Sequence, residues 1–162
     1  MTAVFVPGRS EWLLFAHVAA AFVFFGAALT IVVVGIAATR ARRAGEAALL
    51  ARLAYRVDLL VLWPALIVLV GAGAQLASDE DAYSRGWLRW GMTLTAVVAV
   101  LAGGLELLAN RRRMRAAEQH LASGEDEAER RSSPILTSLG ALTLILLVVI
   151  FWLMTAKPGF YQ

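Results

Sequence analysis

Four long apolar runs, at residues 12–39, 59–76, 90–109 and 135–155, are separated by segments rich in charge. Each run can cross a hydrocarbon core, which takes about 20 apolar residues in helical form. None alternates apolar and polar positions as a lipid-facing strand must, and a helix satisfies its own backbone groups in lipid. The pattern predicts an all-α membrane protein, a single four-transmembrane-helix bundle over residues 1–162, with basic loops at 40–58 and 110–134.

Local signals sharpen the boundaries. "SSP" before the fourth run predicts Ser133 as N-cap and Pro134 in the first turn, where a missing N–H costs nothing. "KPG" after it is a stop, with Lys157 long enough to snorkel to the interface. In "EAALLARLAYRVDLL", Leu49, Leu50, Leu53 and Val57 share one helical face while Arg52 and Arg56 lie on another, which predicts an interfacial elbow into the second helix. Pro64 should bend that helix. "MTAVFVPGRSE" balances Arg9 with Glu11 before an apolar stretch longer than a signal core, so the first run is expected to remain as a helix.

Composition agrees: 60% of residues are hydrophobic, unlike an ordinary soluble domain. Cysteine is absent, which removes disulfides, thiolate metal sites and c-type haem attachment. The net charge is +3, and eleven of the fifteen basic residues fall in the first and third connections, against four elsewhere. Short basic loops stay cytoplasmic, so both termini are expected outside a bacterial cytoplasmic (inner) membrane. This anchoring accounts for the basic residues without nucleic acid, and "NRRRMR" suits anionic headgroups at about 1 kcal/mol per basic residue. Trp12, Trp87 and Trp90 fit outer-interface anchors.

His17 is an imidazole within an apolar run, about 7.5 Å along the helix from Trp12. Met92, Thr93, Met154 and Gln75 fall at a similar depth. Imidazole and thioether are ligands for Cu(I) and can serve haem iron, so His17, Met92 and Met154 form a candidate metal site. A two-histidine haem is disfavoured because the other histidine, His120, belongs to the basic loop. The alternative is an interhelical hydrogen bond for His17, with the methionines as apolar filler. Asp58 and Glu106 lie toward the basic ends of their helices. They read either as hydrated charges near Arg56 and Arg111 to Arg113, or as part of a proton or ion pathway between this acidic pair and His17.

"HVAAAFVFFGA", "WPALIVLVGAG", the tryptophan opening the third run and "WLMTAKPG" resemble an uncharacterised bacterial family of predicted four-helix integral membrane proteins. More distantly, His17 followed by small residues and Gly26 is similar to the copper resistance D membrane domain. That resemblance implies copper handling, although the further histidines of a haem-binding bundle are absent.

No nucleophile–base pair, phosphate-binding glycine loop or HExxH pattern occurs, so an enzyme is not expected. Two readings follow: a small membrane protein handling a metal ion or proton around His17, or an accessory or assembly subunit of a larger membrane complex with His17 purely structural. Small-residue pairs such as Ala16/Ala20, Gly71/Gly73 and Ala99/Gly103 suit close helix contacts in either, including a homo-oligomer.

Overall fold

All four apolar runs are helical in the computed structural model, which describes residues 8–41, 43–79, 82–123 and 134–157. Helix α1 (Arg9–Arg40) forms the first span. The second begins as α2 (Ala44–Val57), passes through a π-helical stretch at Asp58–Leu62 and continues as α3 (Trp63–Asp79). A 3-10 turn at Ala82–Ser84 leads to α4 (Gly86–Val98), a second π-helical stretch at Ala99–Glu106 and α5 (Leu107–Ala122). The fourth span is α6 (Pro134–Ala156). Pro134 opens α6 as expected, whereas the Ser133 cap and the Pro158–Gly159 stop lie outside the described residues. Lys157 closes α6 in the left-handed region, at φ 42°, its N–H reaching the Leu153 carbonyl at 3.1 Å.

The second span is 35 residues long, or about 52 Å at helical rise, against a hydrocarbon thickness of about 30 Å. The third is 34 residues long and exceeds it similarly. The excess is α2 and α5, which pack against one another, α2 also against α1, so both overhangs stand on the same side. Most of what the sequence reads as two loops is therefore helix. No elbow interrupts Ala44 to Asp79. The buried face of α2 is Ala48, Ala51 and Ala54, while Leu49 and Leu53 are exposed. Alanine wins this contact because it lets the helix backbones approach closely; Arg52 Nε then donates to Glu118 Oε1 at 2.8 Å across the surface of the pair.

The two wide turns decide which residues face inward. In a regular helix, positions four apart drift around the axis by roughly 40° per step. Yet Ala54, Asp58, Leu62 and Leu66 are all buried in the second span, and Val98, Ala102, Glu106 and Asn110 in the third. More residues per turn in the π stretches take up the drift and hold each four-residue series on one face. The first wide turn has a local cause: the Pro64 ring crowds the carbonyl four residues back, at Leu60, and removes the N–H that would bond to it. The helix widens there instead of breaking, with Trp63 N–H bonding to the Asp58 carbonyl five residues earlier.

The core sits between the first three spans: Phe24, Ala27, Ala28 and Ile31 of α1 against Leu62, Ala65, Leu66, Val98 and Ala102. The Trp63 ring fits against Gly103, where an added Cβ would lie 2.8 Å from it. Helix α6 packs on α4 and α1 with Gly140 receiving a Val32 methyl, and it turns Ile145, Val148, Phe151 and Trp152 outward.

Candidate functional site

The residues expected to form the outer-half cluster each pack against a different neighbour. His17 Nδ1 donates to the Leu69 carbonyl of α3 at 2.9 Å, and its ring rests against Gly73, where a Cβ would come within 2.8 Å. Because a carbonyl only accepts, Nδ1 carries the proton and Nε2 the lone pair in the neutral ring. Met154 lies instead against Gly91 of α4, beside the packed group of Ala77, Ala82 and Leu88, and Met92 is 44% exposed on the bundle surface. Gln75 donates to Asp79 on its own helix at 3.2 Å. Among the described residues, no three His, Asp or Glu side chains converge. At the same end, Lys157 Nζ lies 5.5 Å from the centroid of the Trp87 ring.

The carboxyl groups at the other end come together. Asp58 has zero exposure and Glu106 is 6% exposed, so neither is the hydrated interfacial charge of the first sequence reading. Asn110 Nδ2 donates to Asp58 Oδ2 at 3.0 Å, linking the third span to the second. Thr143 Oγ1 donates to Glu106 Oε1 at 2.7 Å, linking the fourth to the third. Asn110 lies one turn beyond Glu106 on the same helix, so its bond to Asp58 brings the two carboxyl groups to neighbouring levels of the bundle. Asp58 Oδ1 is buried with no hydrogen-bond partner. Among the described residues neither acid makes an ion pair; the salt bridge of this region joins Arg52 to Glu118. Arg56, Arg111 and Arg112, expected near the acids, are exposed.

A cavity of about 30 Å³ opens beside Glu106. Glu106, Asn110 and Arg113 supply its polar wall; Ile31, Val32, Gly35 and Ile36 of α1 and Gly140 of α6 supply the rest. Arg113 is half-buried, its Nη1 3.8 Å from where a Cβ on Gly35 would stand. A water needs roughly 10–15 Å³ measured this way and two to four polar partners, and this cavity meets both conditions.

Sequence reasoning found the two acids, named Arg113 among the arginines near them, and missed Asn110 and Thr143. The spacing from Glu106 to Asn110 was the available signal, since four residues place an amide one turn beyond a carboxyl group. Thr143 gave none, because a threonine in an apolar run usually bonds back to its own helix. Thr30, Thr93, Thr95 and Thr155 do so here.

Over residues 11–158 the chain matches the family described as "Predicted integral membrane protein (DUF2269)". No curated protein and no solved structure matches it.

Proposed function

We propose that this chain, which belongs to that family of integral membrane proteins, is a non-enzymatic proton-handling protein whose proton site is the Asp58–Glu106 carboxyl pair. The observation that carries the reading is Asp58 Oδ1, fully buried and without a donor. An uncompensated carboxylate inside a bundle costs several kcal/mol. A second carboxyl group nearby raises that cost. Ionisable groups at membrane depth are functional by default because folding alone would replace them with apolar residues. A proton neutralises such a site with a single oxygen, and Asn110 and Thr143 hold the two carboxyl groups in place whichever of them carries it.

The apolar core separates this pair from His17, so we assign proton exchange to the end where α2 and α5 project. Exposed Arg40, Arg52, Arg56, Arg111, Arg112 and Arg115 mark that end, and the positive-inside rule makes it cytoplasmic. His17 then serves as an interhelical hydrogen-bond donor.

Proton counting after a pH jump on the purified protein in weakly buffered detergent tests the reading. Wild type should exchange protons that the Asp58→Asn/Glu106→Gln double variant, equally well folded, does not. Identical traces would make the pair structural and leave the accessory-subunit reading in its place.

A further inference from the structure

We infer that the cavity beside Glu106 is the aqueous port of the carboxyl pair, and that Arg113 in its wall admits water and protons while keeping alkali cations out. The inference rests on the proton-handling reading and names the cargo within it: a proton, as opposed to sodium or potassium.

Position is the first argument. Arg113 lies seven residues beyond Glu106, about 10 Å toward the projecting end of the same helix. Both line one cavity, so whatever enters it meets the guanidinium as well as the carboxyl group. Gly35 stands in the facing wall beside Ile31, Val32 and Ile36 and leaves room there for the guanidinium, whereas the Val32 methyl covers Gly140. Arg113 forms no ion pair among the described residues, so its charge is not cancelled by a carboxylate. An arginine stays protonated throughout the working pH range, which makes it a fixed positive barrier where a lysine would be a more adjustable one.

The donor set is the second argument. A hard cation that sheds its water needs several oxygen ligands at once. Here Asp58 Oδ2 accepts from Asn110 and Glu106 Oε1 accepts from Thr143, which leaves Asp58 Oδ1 as the buried oxygen without a partner. The groups facing Glu106 complete the account. Thr143 comes from α6, Asp58 from the second span, and Asn110 and Arg113 from its own helix; the cavity lining from α1 carries no polar side chain. With Glu106 Oε2, which accepts no hydrogen bond among the described residues, two carboxyl oxygens beside a guanidinium fall short of the several ligands a dehydrated sodium needs and suffice for a proton or a water.

The test is an infrared titration of the protonated-carboxyl band in sodium chloride and in the chloride of a bulky organic cation. Wild type should titrate identically in both. Arg113→Gln should become sodium-sensitive, its midpoint falling by about one pH unit, a tenfold loss of apparent proton affinity, and Arg113→Lys should restore indifference. A wild type as sodium-sensitive as Arg113→Gln, or an Arg113→Gln protein that ignores sodium, overturns the filter. Arg113→Met, which keeps an unbranched stem without charge, replaces Arg113→Gln if that variant does not assemble. If wild type shows no titrating carboxyl band, the proton reading fails separately and equilibrium dialysis against radioactive sodium decides the filter. Sodium retained by the charge-free variant and not by wild type supports it; retention by wild type, or by neither, overturns it.

Discussion

The Asn110 amide donates to the Asp58 carboxyl group at 3.0 Å, fastening the third span to the second at a point where both residues are buried. Each lies in or just beyond a wide helical turn, and Asp58, with zero exposure, has no water with which to replace the bond.

Asn110→Leu should therefore be costly. It leaves both Asp58 oxygens without a donor, for which about 1–3 kcal/mol is expected. Asp58→Asn retains a carbonyl oxygen for Asn110 and should cost less. Reversible unfolding in mixed micelles measures both, and an Asn110→Leu protein as stable as wild type would remove the bond's structural role.

At the opposite end, His17 and Gly73 form a matched pair. Gly73→Ala drives a methyl group into the imidazole and should destabilise by about 1–3 kcal/mol. His17→Ala should lose only about 0.6 kcal/mol, the average for interhelical hydrogen bonds in a membrane protein, and leave bound metal unchanged. The double variant should be more stable than the sum of the two losses implies, because the methyl then meets no ring. Stoichiometric Cu(I) in wild type that disappears in His17→Ala would instead restore the ligand role.

On α2 the expected order of sensitivity is reversed from that suggested by hydrophobicity. Leu49 is 68% exposed and Ala51 is 9% exposed. Leu49→Ala should be nearly neutral, whereas Ala51→Leu overfills the α2 contact and should cost about 1–3 kcal/mol. Equal effects in the unfolding assay would mean that the leucine face, not the alanine face, holds this helix.

Topology follows from eleven basic residues in two connections against four elsewhere. A reporter fused after Gln162 should read as extracytoplasmic and one inserted near Ser123 as cytoplasmic. The opposite pair of signals would invert the protein and place the proton site at the outer face.

The four spans were legible because a helix in lipid needs only length and apolarity, and neither depends on the partner. The burial of Asp58 and Glu106 was not. Reading faces at 3.6 residues per turn cannot anticipate two π-helical stretches, and the nearby arginines suggested surface pairing. The loops were misread for a related reason: Ala48, Ala51 and Ala54 carry little hydrophobic signal alone, yet they seat α2 against its neighbours. For His17 the sequence offered both a ligand and a hydrogen-bond role. The Leu69 carbonyl that it meets is backbone, which no residue type announces.

Infrared difference spectroscopy between acid and neutral solution tests the proton site most directly, since it reads the carboxyl groups themselves. The account predicts a protonated-carboxyl band that disappears reversibly on raising the pH, is altered in either Asp58→Asn or Glu106→Gln, and is absent from the double variant. A wild-type spectrum with no titrating carboxyl band, or one that the folded double variant reproduces, would contradict it.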